Sequence, residues 1–117
     1  MESCIVTDAR PALAEARARA RRRVAELAGV FDEIVAASDS ANLDDEHDPE
    51  GATVAFERTQ VATLLEQARC RLAELDDAAG RLQRGVYGVC EQCGEPIAPA
   101  RLAAQPAARR CIDCASG

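Results

Sequence analysis

The chain has 117 residues, 48% of them hydrophobic by a count dominated by alanine, and only Phe31, Phe56 and Tyr87 are aromatic. So little bulky material argues against an enzyme with a deep pocket and for long helices exposed to solvent. Fourteen arginines and no lysine against twenty acidic residues leave a formal charge of −6, which opposes general affinity for nucleic-acid phosphates and favours a protein or basic partner.

The chain holds no run of eighteen apolar residues, and Met1-Glu2-Ser3-Cys4 lacks the basic flank and apolar stretch of a secretory leader. A membrane span and a membrane partner are therefore not expected, and a cytoplasmic location is. In a reducing compartment the six cysteines read first as metal ligands and only second as disulfides.

Composition divides the chain into an N-terminal segment, 1–7, expected to be disordered, a helical hairpin over 8–84 with its tip at 38–51, and a Cys-, Gly- and Pro-rich module over 85–117. In the first helix, expected over 8–37, Leu13, Ala20, Val24, Leu27, Phe31 and Ile34 recur at steps of three and four, with Arg17 completing the register. Thr7 and Asp8 are candidate N-terminal caps, and Pro11 is tolerable in a first turn. The segment 38–51 is strongly acidic and contains no basic residue except the single histidine, His47.

The second helix carries a stricter seam of Val54, Val61, Leu65, Ala68, Leu72, Leu75, Ala79 and Leu82, interrupted only by Arg58. Asp48 is placed to cap it, Pro49 suits its first position, Arg81 and Arg84 complement its last turn, and Gly85 can end it in the left-handed region. Two such helices joined by about a dozen residues fold back most simply as an antiparallel hairpin. The fold class expected is thus mainly α: a long antiparallel coiled-coil hairpin with an acidic tip and a small four-cysteine finger. Ala20, Ala68 and Ala79 let the helices approach closely but bury little area, so the hairpin alone is expected to be only modestly stable. The same seams could instead drive self-association into a larger bundle.

Two pairs, Cys90-Glu91-Gln92-Cys93 and Cys111-Ile112-Asp113-Cys114, stand seventeen residues apart, a spacing expected of a four-cysteine zinc site. A two-residue spacer lets both thiolates of a tight turn face one ion. Four sulfurs complete the tetrahedron, so one structural Zn²⁺ on Cys90, Cys93, Cys111 and Cys114 is expected, with no open position for catalysis. A pair of redox-active disulfides is the competing reading. Cys4 and Cys70 have no such partner and read as bystanders. There is no glycine-rich phosphate loop and no nucleophile with a plausible base, so the chain is expected not to be an enzyme and to have no catalytic residues.

The run Tyr87-Gly88-Val89-Cys90-Glu91-Gln92-Cys93-Gly94-Glu95-Pro96-Ile97, followed by Arg101-Leu102, Pro106 and Cys111-Ile112-Asp113-Cys114, resembles the zinc finger of the DksA/TraR family. The resemblance implies a transcription regulator that binds RNA polymerase directly, passing its hairpin through the secondary channel toward the catalytic magnesium, without sequence-specific DNA binding and as a monomer. It implies a partner-binding tip, for which Asp44, Asp45, Asp48 and Glu50 are the candidates. The sequence departs from the family's Asp-x-x-Asp-x-Ala tip, because Asp45 and Asp48 keep the pair but Glu50 stands in place of alanine. Only Ala115, Ser116 and Gly117 follow the last cysteine, where many members continue into a helix, so a response to the alarmone ppGpp stays open. The cluster Arg19, Arg21, Arg22 and Arg23 reads first as solvated helix surface and second as a contact for an acidic polymerase surface. The alternative function is a zinc-ribbon adaptor or a self-associating coiled-coil interaction module.

Overall fold

The computed structural model describes residues 2–41 and 49–116. Four helices follow in chain order: α1 (Glu2–Ala41), α2 (Pro49–Gln83), α3 (Pro99–Ala104) and α4 (Ile112–Ser116). Among the described residues there is no strand, only an isolated antiparallel bridge between Val89 and Pro96. The mainly helical fold, with two long helices followed by a cysteine-bearing module, is the architecture expected. No described helix is long and apolar enough to cross a membrane.

The helix ends differ in part from expectation. α1 begins at Glu2, so residues 2–7, expected to be disordered, continue the helix, and Thr7 and Asp8 stand inside it instead of capping it. Pro11 lies inside α1, where it removes a backbone donor and crowds the carbonyl four residues before it, a cost of about 3 kcal/mol set against 40 residues rich in the helix formers alanine and arginine. α1 also runs past 37 to Ala41, while α2 starts on Pro49, the position where a missing N–H costs nothing. Of the expected tip, residues 42–48, with Asp44, Asp45 and Asp48, lie outside the described residues.

Gly85 closes α2 as its sequence anticipates. Its φ is +76°, and the Val86 N–H donates to the Arg81 carbonyl at 2.9 Å while the Gly85 N–H donates to that of Leu82 at 3.2 Å. This pair of bonds satisfies carbonyls that the helix end would otherwise leave open.

Two compact units divide the chain: Met1–Arg19 with Leu72–Gly117, and Ala20–Arg71. In the first, here the finger unit, Leu13 and Ala16 of α1 are buried, as are Leu75 and Ala78 of α2 and Tyr87, Ile97 and Leu102 of the finger. Arg17 and Asp76 pair across the two helices at 2.8 Å and set their antiparallel register there. In the second, here the central unit, the buried described residues are Ala20, Leu27 and Leu65. Val24, Phe31 and Ile34 of α1 and Val54, Val61 and Ala68 of α2 are half-buried, which is the heptad seam the sequence traces, and Arg58 is exposed.

Candidate metal centre

The finger begins where α2 ends. Its first knuckle is a tight turn in which the Gly94 N–H donates to the Cys90 carbonyl at 3.0 Å and the Cys90 N–H donates to that of Glu95 at 2.9 Å. Gly94 has φ +77°, a conformation costly for any residue with a β-carbon, although a β-carbon there would meet nothing within 4 Å. The glycine is thus required by backbone conformation and not by crowding. The second knuckle lies at the start of α4, where the Ala115 N–H donates to the Cys111 carbonyl at 2.9 Å. A bond from the Glu91 N–H to the Arg109 carbonyl, 2.9 Å, ties one knuckle to the other.

These turns bring Cys90, Cys93, Cys111 and Cys114 together with all four sulfurs within 4.8 Å of one another. The Cys93 and Cys111 sulfurs are 3.7 Å apart. A tetrahedron with zinc–sulfur bonds near 2.3 Å has sulfur–sulfur edges of roughly 3.8 Å, so the cluster has the size of one four-sulfur zinc site. The electrostatics agree. Backbone N–H groups of Cys93 and Cys111 draw the Cys90 thiol down to about 6. Hydrogen bonds from the Cys111 and Cys90 sulfurs, with burial, push the Cys114 thiol up to about 12. The cluster thus favours one thiolate and resists a second, and a dication is what lets all four sulfurs carry negative charge. Zinc bound there supplies folding energy to a segment that otherwise has few large apolar residues. Cys70 is exposed on α2 and is not among the four clustered cysteines.

Residues 85–117 match the family model of the prokaryotic dksA/traR C4-type zinc finger. An uncharacterized protein of Aquifex aeolicus is 48% identical over 44 residues, which are 38% of this chain and 30% of that protein. The RNA polymerase-binding transcription factor DksA of Caulobacter vibrioides, in two strains, is 40% identical over 48 residues, 41% of this chain and 34% of DksA. The matches thus span about a third of the length of these curated relatives. Among solved structures, transcription factor DksA2 from Pseudomonas aeruginosa matches with a TM-score of 0.81 and 26% identity, covering 97% of this chain and 81% of that one.

The finger is fastened to the end of α2 by residues whose sequence context suggests other roles. Arg81, read as a cation complementing a helix end, is buried. Its Nη1 and Nη2 donate to the Ala108 and Ala107 carbonyls, each at 3.3 Å, and its Nε donates to Asp77 Oδ2 at 3.0 Å. Arg109 reaches the same Asp77 oxygen at 3.1 Å. One carboxylate thus holds an arginine from α2 and another from the finger, and the α2 arginine in turn satisfies two finger carbonyls. Arg110 likewise bonds a carboxylate, that of Glu91, at 3.4 Å.

Tyr87 adds a second tie, its hydroxyl donating to the Pro106 carbonyl at 2.8 Å, and burial raises its pKa against a smaller opposing effect of Arg81. The available signal for this docking was that Ala78 and Arg81 fall beside the seam and not on it, so that a second face of α2 needed covering. Asp44, Asp45 and Asp48 lie outside the described residues, and Glu50 falls in the first turn of α2.

Proposed function

We propose that this protein is a transcription regulator of the DksA type that binds RNA polymerase directly. It inserts its helical hairpin into the secondary channel and modulates initiation from the acidic segment 38–51. The observation that carries this reading is the likeness to the transcription factor DksA2, which extends over 97% of the chain and so includes the hairpin as well as the finger. A DksA named as RNA polymerase-binding among the relatives supports the choice of partner.

In this reading Cys90, Cys93, Cys111 and Cys114 hold one zinc ion that folds the finger, and no group in the chain performs chemistry. Asp44, Asp45, Asp48 and Glu50 approach the active centre as a negatively charged tip, where they alter the balance between states of the promoter complex and not the polymerisation step itself. The protein acts in the cytoplasm as a monomer, without sequence-specific contacts to DNA.

The test is binding of the purified, zinc-loaded protein to core RNA polymerase, followed by transcription with an Asp45→Asn/Asp48→Asn variant. A stoichiometric complex is expected, with the variant binding as the wild type does but losing its effect on transcript yield. Failure to bind at micromolar concentration, together with a dimer by light scattering, would favour a self-associating adaptor instead.

A further inference from the structure

The central unit carries a concentration of charge that neither the seam nor the metal centre uses. Positions 21–23 of α1 are Arg21, Arg22 and Arg23, and positions 69–71 of α2 are Arg69, Cys70 and Arg71. The two stretches lie at one level. Phe31 shares a groove with Thr59, Ala62 and Thr63, which sets the antiparallel register of this unit, and nine residues back along α1 and nine forward along α2 from Phe31 and Ala62 lead to Arg22 and Arg71.

A short slab of the hairpin therefore holds five arginines and no acidic residue, in a chain whose formal charge is −6. All five are exposed. Among the described residues Arg22, Arg23, Arg69 and Arg71 make no ion pair, although Glu26, Glu66 and Glu74 stand three residues away along the helices. Clustering like charges this closely works against the folded state, so helix formation does not account for it.

The direction of these side chains decides what they fit. Successive helix residues point about 100° apart, so Arg21, Arg22 and Arg23 sweep about 200° around α1, and Arg69 and Arg71 are separated by a similar angle around α2. Positive charge thus faces several sides of the hairpin at one level, as a collar. A nucleic-acid duplex lying along one side would meet only some of these groups, and the acidic segment 38–51 would repel its phosphates. A partner that surrounds the hairpin meets most of them at once.

We propose that Arg21, Arg22, Arg23, Arg69 and Arg71 form a basic collar that seats the hairpin in an acidic-walled protein opening. This rests on the polymerase reading above, in which that opening is the mouth of the secondary channel. From Arg22 to the end of α1 at Ala41 the helix rises roughly 28 Å, so the collar would fix how deeply the tip reaches. Arginine suits the role because its fork pairs with carboxylates in a defined geometry.

The experiment compares the zinc-loaded wild type with an Arg22→Gln/Arg23→Gln/Arg69→Gln/Arg71→Gln variant, titrated against core RNA polymerase across a range of salt concentrations. Helix content and zinc stoichiometry serve as controls for folding. The collar predicts affinity about ten-fold weaker at low salt and a clearly shallower salt dependence, with arginine-to-lysine replacements at the same positions recovering most of the affinity. Equal affinity and an equal salt slope in the variant overturn the collar while leaving the polymerase reading intact. A wild type that does not bind polymerase overturns both. A wild type that captures duplex DNA or RNA through these same arginines assigns them to phosphates and overturns the collar as well.

Discussion

The finger unit and the central unit are built from overlapping helices but held together by different means. In the finger unit side chains of several kinds are buried: Leu13 and Leu75 from the seam, Tyr87, Ile97 and Leu102 from the finger, and Arg81, whose guanidinium bonds two finger carbonyls. In the central unit only Ala20, Leu27 and Leu65 are buried among the described residues, and alanine contributes little area. Stability is therefore concentrated where the metal folds the finger onto the helices. The central unit, with so few constraints on its surface, is free to carry charge patterns selected for partners.

Removing zinc should test this contrast most severely. Cys90→Ser, or a strong chelator, is expected to unfold the finger and abolish cooperative melting of the finger unit while much helical circular dichroism remains, because the binding energy of a structural zinc, about 10 kcal/mol or more, is also folding energy. Loss of all helical signal would mean that the central unit depends on the finger. The pH dependence has a fixed sign. Binding displaces protons from thiols, Cys114 among them with its pKa pushed up to about 12, so zinc affinity should fall steadily as pH is lowered from 8 to 6 in a competition titration.

Arg81→Ala comes next in size. It leaves the Ala107 and Ala108 carbonyls without their donor and Asp77 without one of its two arginines, and should cost about 3 kcal/mol in denaturant unfolding of the finger unit. A loss below about 1 kcal/mol would show that the finger is held by apolar contacts alone. Leu75→Ala, at a residue only 1% exposed, should likewise cost about 3 kcal/mol, and Leu65→Ala in the more open central unit closer to 2 kcal/mol. Equal losses would erase the distinction between the units. Gly85→Ala is expected to be smallest, about 1 kcal/mol from backbone conformation alone, since a β-carbon there meets nothing within 4 Å.

Much of the fold was legible because it rests on short-range rules. The CxxC spacing located the metal centre, the heptads traced the seam through Leu27 and Leu65, and Pro49 and Gly85 marked two helix ends that the structure keeps. What escaped were contacts between segments distant in the chain. A heptad fixes the period of a helix but is silent about a third element, so the burial of Ala78 and Arg81 beneath the finger could not be read from α2 itself. Arg81 fitted a helix-end role equally well, and only the position of the Ala107 and Ala108 carbonyls decides between the two. The early start of α1 at Glu2 is not legible because Pro11 suits a first turn, whereas the structure carries the helix through it despite an interior-proline cost of about 3 kcal/mol.

In the proposed complex the acidic segment reaches the active centre of RNA polymerase. The most direct measurement is photocrosslinking from position 47, with His47 replaced by a photoreactive phenylalanine derivative, in a complex of the zinc-loaded protein with core RNA polymerase. Crosslinks to segments that surround the catalytic magnesium are expected. A stable complex that crosslinks from position 47 only to the outer surface of the polymerase would contradict that expectation.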